Sequence, residues 1–230
     1  MKEAPQFSSG VARLASRAML LCVLVDFALI AFAATGADSP LRMPDGATYV
    51  VEAAAPLLAY GLISFRVPAV HLAHRQPALR QGTSVGLVGG VLHIIHLALE
   101  TFGNHLGENS TITLVFMLGG FLLWGFAGYR VTRETGDIKA GMLAGCWSAM
   151  VSVLMVVTFG LVLMSMDFPS PAYVSTWSEF KASGWPNARA FNIANTFEAV
   201  LSHLVIGPIA GAIFGVLGIG IAKLQPVAPK

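Results

Sequence analysis

Charged side chains are scarce in this 230-residue chain, because Asp, Glu, Lys and Arg make up only 11% of it. Soluble domains carry roughly 25%, so the chain has too few charges to cover the surface of a soluble globule. Cysteine is scarce as well: the two residues, Cys22 and Cys146, lie in apolar runs, which excludes a disulfide-rich secreted scaffold. A net charge of +2 excludes a basic nucleic-acid-binding domain, and the low charge excludes a disordered chain.

Apolar residues are abundant, at 55% of the chain, and the mean hydropathy is +0.70. A helix needs roughly 20 mostly apolar residues to cross about 30 Å of hydrocarbon. Six runs meet this requirement, and the sequence therefore predicts an all-α, polytopic integral membrane bundle in contact with the lipid bilayer. The predicted spans are residues 18–35, 47–65, 83–102, 112–129, 141–166 and 196–222.

The distribution of basic residues predicts the orientation of these spans. With a cytoplasmic N terminus, eleven of the fourteen Lys and Arg residues lie on the cytoplasmic side, and only Arg42, Lys181 and Arg189 lie outside. We therefore predict that both termini are cytoplasmic and that the protein lies in the inner (plasma) membrane. The first span also resembles a secretory signal, because residues 31–33 read Ala-Phe-Ala, but Asp26 in its apolar run favours retention.

One connection, residues 167–195, is much longer than the others and is predicted to lie outside the membrane. Thr176 and Glu179 have the spacing of a helix N-terminal capping box, and Gly184 and Pro186 are typical of a helix end. This spacing predicts a short interfacial helix within the loop.

The sixth span carries a stripe of small residues, Gly207, Gly211 and Gly215, spaced by four. Small residues allow membrane helices to approach closely, since lipid provides no hydrophobic force between them. We expect a tight contact within the chain, and the alternative is a homo-oligomer or a larger membrane complex formed through this stripe.

Ionisable residues inside membrane spans are costly, so each of them is a candidate functional residue. On the third span, His93, His96 and Glu100 lie at i, i+3 and i+7 and share one helical face. The first span contains Asp26 and the second contains Glu52.

The sixth span repeats the same spacing with Asn195, Glu198 and Ser202, and His203 lies at the edge of that face. At about 1.5 Å per residue, the predicted glutamates lie roughly 3 to 8 Å from the outer boundary and the histidines about 9 to 14 Å. We therefore expect one shared site in the outer half of spans one, two, three and six, with spans three and six as neighbours.

Neutral imidazole and carboxylate are ligands of divalent transition metals, so the first hypothesis is a metal site, and its variant is a proton or ion pathway. Ion transport is a function that either the metal site or the pathway would serve. The predicted metal ligands are His93, His96, Glu100, Glu198 and His203, with Asp26, Glu52 and Asn195 as proton-relay or supporting residues.

Two other hypotheses use the same residues. Haem b could be the cofactor, with His96 and His203 as axial ligands from two helices. In the second of these hypotheses, the polar side chains form a hydrogen-bonded packing network, and the protein is a structural or accessory membrane subunit. Catalysis is not expected, because the sequence contains no recognisable activated nucleophile or nucleotide-binding motif. A metal-dependent hydrolase is the enzymatic alternative.

Overall fold

The computed structural model describes residues 8–66, 76–102, 110–166 and 177–225, and in these ranges the chain is helical with no strand. Six of the helices are long and apolar enough to cross a membrane, which confirms the predicted all-α bundle of six spans. A short 3-10 turn, Pro40–Arg42, joins the first two. The spans are α1 (Ser8–Thr35), α2 (Gly46–Arg66), α3 (Gln76–Phe102), α4 (Ser110–Thr135), α5 (Ile138–Ser165) and α7 (Ala188–Leu224), and α6 (Trp177–Ser183) is a short helix before the last.

The central helix is α5, which packs against α1, α3, α4 and α7. Its sequence is apolar on every side, as expected of a helix that is surrounded by other helices. Two of its polar side chains contact α3: Trp147 Nε1 donates a hydrogen bond to Thr83 Oγ1 at 3.0 Å, and Ser152 Oγ lies 2.9 Å from the carbonyl oxygen of Gly86. These contacts fix α3 against α5 within the membrane.

The glycine stripe of α7 is buried against α5 and α4. A Cβ atom on Gly211 would lie 2.8 Å from the carbonyl oxygen of Gly145, and one on Gly207 would lie 2.7 Å from Val153 Cγ1. On α4, a Cβ atom on Gly128 would lie 2.6 Å from the carbonyl oxygen of Gly215. The expected contact within the chain is therefore present, and all three glycines of the stripe are buried in it.

A second set of glycines, on α3, also packs against α5. A Cβ atom on Gly82 would lie 2.8 Å from the carbonyl oxygen of Ala144, and one on Gly86 would lie 2.7 Å from that of Ser148. Glycine is required at both positions because the obstructing atoms belong to the backbone. These contacts draw α3 and α5 together along one side of the bundle.

The last span begins eight residues earlier than residue 196, where the sequence places it. The side chain of Asn187 caps α7, because its Oδ1 accepts hydrogen bonds from the backbone N–H groups of Arg189 (2.9 Å) and Ala190 (3.1 Å). The predicted outer connection is correspondingly shorter, and its residues 167–176 lie outside the described part of the chain.

Aromatic side chains fasten the segment around α6 to the start of α7. The ring centroids of Phe180 and Phe191 are 5.7 Å apart, and those of Trp185 and Phe191 are 5.8 Å apart. Trp185 also contacts Tyr49 of α2, with 5.9 Å between centroids. The segment is therefore packed against α2 and α7. The sequence predicts that it also contacts the membrane interface.

Asp38 joins the connection after α1 to the start of α7. Its Oδ1 accepts a hydrogen bond from Asn187 Nδ2 at 2.8 Å, and its Oδ2 lies 3.3 Å from Arg189 Nε. We call this end of the bundle the Asp38 end. Under the predicted orientation it is the outer end.

Candidate functional site

A cavity of about 790 Å³ lies between α3, α4, α5 and α7 in the half of the bundle nearest the Asp38 end. Both α3 and α7 pack on α4 and on α5, but they make little direct contact with each other. The expectation that these two spans are neighbours is therefore corrected: they face each other across the cavity. Five of the predicted site residues line it from these two helices, namely His93, His96, Glu100, Asn195 and His203.

His96 is at the centre of a small polar cluster on the α3 side. Its Nε2 lies 3.4 Å from Glu100 Oε1 and 3.3 Å from Thr113 Oγ1 of α4, and its ring stacks on Phe116 with 5.0 Å between centroids. Nε2 donates to these oxygens when it carries the ring proton, and it accepts from the Thr113 hydroxyl when it does not. The cluster therefore joins α3 to α4 through an imidazole, a carboxylate and a hydroxyl.

His93 is fixed by packing. Its Nδ1 lies 2.8 Å from the carbonyl oxygen of Gly89, which can only accept, so Nδ1 carries a proton. The ring is stacked on Trp124, with 6.1 Å between centroids, and its far edge is pressed against Gly120, where a Cβ atom would lie 2.7 Å from Nε2. The absence of a side chain at Gly120 is thus what makes room for this imidazole between α3 and α4.

His203 has the same internal hydrogen bond but a different environment. Its Nδ1 lies 2.8 Å from the carbonyl oxygen of Ala199, so in the neutral ring Nδ1 is protonated and Nε2 carries the lone pair. The side chain lines the cavity and is also exposed, so it lies at the mouth of the cavity. His203 lines the same cavity as His93.

The lining face of α7 differs from the face that the sequence predicts. Asn195 and Ser202 line the cavity, as does Ala199, but Glu198 is exposed and does not line it. At 100° per residue the lining residues centre near Ala199, and Glu198, one residue earlier, lies about 100° away around the helix axis. Glu198 therefore belongs to a different face of α7 from His203.

Asp26 and Glu52 do not line the cavity. Asp26 is completely buried on α1, where it faces Thr158 of α5, and both of its carboxyl oxygens have no hydrogen-bond partner among the described residues. The Thr158 hydroxyl donates instead to the carbonyl oxygen of Leu154 at 2.9 Å. Glu52 is half-buried on α2. The cavity is thus built by α4 and α5 with α3 and α7, whereas the sequence placed α1 and α2 in the site.

The floor of the cavity is aromatic. Trp124 is buried, and its Nε1 donates a hydrogen bond to Ser152 Oγ of α5 at 3.3 Å. Beside it, Phe121 stacks on Phe214 of α7 with 4.6 Å between centroids. Sequence reasoning missed both Trp124 and the hydroxyl of Thr113, because neither residue type carries a charge that distinguishes it within an apolar run.

The arrangement of acidic and metal-binding side chains bears on the metal hypothesis. In ranges 8–66, 76–102, 110–166 and 177–225, no group of three or more His, Cys, Asp and Glu side chains is placed to hold a metal ion. For haem b, His203 offers a free Nε2, but Nε2 of His96 is engaged by Glu100 and Thr113. A bis-histidine haem would therefore require that cluster to open.

In chemical terms, the cavity combines an imidazole acceptor, an imidazole–carboxylate pair, hydroxyl and amide groups, and an apolar floor. Such a surface can bind a molecule that has one polar and one apolar part. The chain matches no protein-family model, no curated protein and no solved structure.

Proposed function

We propose that this membrane protein binds an amphipathic small molecule within its helical bundle. The observation that supports the proposal is the cavity of about 790 Å³, a size typical of small-molecule sites, which both polar and apolar side chains line. The polar part of the ligand binds beside His96, Glu100 and His203. Its apolar part lies against Phe121 and Trp124.

The mouth of the cavity supports entry from the lipid. Ile206 lines the cavity and is 62% exposed, and its neighbour on the same turn, Ile209, is 56% exposed. Both lie in the apolar part of α7, where exposed side chains contact lipid. A ligand that enters here dissolves first in the bilayer, so the proposed ligand is lipophilic.

Ala199→Trp tests the proposal, because Ala199 lies at the centre of the lining face of α7 and an indole there obstructs the cavity. The matched control is Ala28→Trp, which adds the same indole at an exposed position of α1. Solvent extraction and mass spectrometry of the three proteins, purified in nanodiscs after incubation with total membrane lipid extract, measure the bound molecules. We expect an amphipathic molecule at stoichiometric amounts in wild type and the control, and its loss from Ala199→Trp.

Equal amounts of the same molecules in all three proteins, or no bound molecule in any of them, would contradict the proposal. The polar side chains would then be interpreted as a packing network that fixes helix register, as in the structural or accessory-subunit hypothesis.

A divalent transition metal, or a proton relay, is the second candidate function, and the hydrogen bond from His203 Nδ1 to a backbone carbonyl favours it. Metal-binding histidines commonly make this bond, since it leaves Nε2 free for the metal. The imidazole–carboxylate pair of His96 and Glu100 could in turn transfer a proton.

Elemental analysis of protein purified without chelator tests for the metal, and an intense visible absorption band would reveal haem b. A metal-free, colourless protein that gains no thermal stability from Zn²⁺, Mn²⁺, Fe²⁺ or haem would eliminate both ligands.

A further inference from the structure

The three imidazoles of the cavity are not equivalent as hydrogen-bonding groups. Nε2 of His93 is pressed against Gly120, and Nε2 of His96 is engaged by Glu100 and Thr113. Nε2 of His203 lies on an exposed ring whose Nδ1 proton is already donated to a backbone carbonyl.

The state of His203 determines which ligand groups it can bind. In the neutral ring the Nδ1 proton is donated to the carbonyl oxygen of Ala199, so Nε2 carries the lone pair and only accepts hydrogen bonds. A ligand carboxylate or phosphate placed here would meet a lone pair. A ligand hydroxyl group, in contrast, donates to Nε2 directly.

The cation alternative is less well supported. The carboxyl group of Glu100 is 37% exposed and lies 3.4 Å from His96 Nε2, so it already has a polar neighbour and is not isolated for an ammonium group. A neutral hydrogen-bond donor satisfies His203 without bringing a charge into the membrane.

The aromatic floor of the cavity is suited to a flat ring. There His93 stacks on Trp124, and Phe121 tilts against Trp124 with 5.4 Å between centroids. Met117 also lines the cavity. Aromatic and thioether groups pack favourably against aromatic rings.

From these observations we infer that the cavity binds a lipophilic aromatic alcohol, that is, a phenol or hydroquinone with an apolar tail, whose hydroxyl group donates a hydrogen bond to Nε2 of His203. The inference rests on the proposed function, because it specifies the chemical class of the ligand of that same cavity. No redox step is part of it.

The test compares two probes that differ only in the hydroxyl group, 4-dodecylphenol and its methyl ether, 4-dodecylanisole. Their affinities for the full-length protein in nanodiscs are measured by equilibrium exchange, with empty nanodiscs as the blank for partition into lipid. A neutral hydrogen bond corresponds to about a two- to tenfold preference for the phenol. We expect this preference in wild type and its loss in His203→Leu, with the affinity for the anisole retained.

Two further variants separate the role of His203 from changes in folding. Glu198→Gln alters an exposed residue of α7 that does not line the cavity, so the preference for the phenol should be unchanged. His203→Gln supplies an amide oxygen acceptor and should keep part of the preference. If His203→Gln keeps part of the preference for the phenol, the bundle folds without His203, whatever the result for His203→Leu.

Each outcome separates this inference from the proposed function. If both probes bind equally to wild type, the inference is wrong and the binding of an amphipathic molecule stands. If the preference survives in His203→Leu, or is lost in Glu198→Gln, His203 is not the acceptor and the inference is also wrong. If neither probe binds above the blank, the inference fails, and the proposed function is then decided by the extraction experiment with Ala199→Trp.

Discussion

The close contact between α7 and α5 predicts that two glycines on the same helix respond in opposite ways to alanine. At Gly211 a new Cβ atom would lie 2.8 Å from the carbonyl oxygen of Gly145 and would also collide with Cβ of Ala149. At Gly220, about two and a half turns further along α7, nothing lies within 4 Å of a new Cβ atom. The pair therefore compares an obstructed position with an open one in the same helix.

The magnitude follows from two contributions. Replacing glycine by alanine within a helix is favourable by up to about 1 kcal/mol at either position, because alanine has the higher helix propensity. Overpacking costs about 1 to 3 kcal/mol, and only Gly211 incurs this cost, since the atoms in its way belong to backbone and to Cβ. The helix term cancels between the two variants, so Gly220→Ala should be more stable than Gly211→Ala by about 1 to 3 kcal/mol.

The assay is reversible unfolding of both variants and wild type in mixed micelles, followed by circular dichroism. We expect Gly220→Ala to match or exceed wild type in free energy of unfolding and Gly211→Ala to fall below it. Equal stability of the two variants would refute the reasoning, because it would mean that α7 does not approach α5 as closely as the structure places it.

Two other predictions concern the orientation and a buried carboxyl group. A reporter fused after Lys230 should be cytoplasmic and one inserted near Ser183 external, because basic residues concentrate on the cytoplasmic side; the opposite result would reverse the predicted orientation. Asp26→Asn should leave the free energy of unfolding within about 1 kcal/mol of wild type or raise it, since the buried carboxyl group has no described hydrogen-bond partner to lose. A larger loss in the same unfolding assay would reveal a partner for Asp26.

The spans could be predicted because each depends only on its own composition. An apolar run of the required length forms a helix in the membrane whatever its neighbours are, since its backbone hydrogen bonds are satisfied internally. The start of α7 was misplaced because it depends on a single cap: Asn187 extends the helix over polar residues that the apolar run does not include. The position of α5 at the centre could also have been inferred, as its sequence has no polar face.

The site was only partly predictable, because a helical face is a local property and the direction in which it points is not. The spacing of His93, His96 and Glu100 placed them on one side of α3, and the structure directs that side to the cavity. On α7, spacing alone grouped Glu198 with Asn195, which lie about 60° apart around the helix. The rotation of the helix against α5 brings Asn195 to the cavity and leaves Glu198 exposed outside it. That rotation is determined by the buried glycines, and no local pattern specifies which neighbour they contact.

The glycine contacts and the cavity are two results of one packing arrangement. Gly128 of α4 meets Gly215 of α7 at backbone distance, so the helices nearly touch away from the Asp38 end. Closer to that end the Phe121–Phe214 ring pair separates the same two helices, and beyond the rings the space between them is the cavity. Close packing over one half of the bundle therefore supplies the rigidity that a cavity in the other half requires, since an unsupported cavity in lipid would be closed by the movement of its helices.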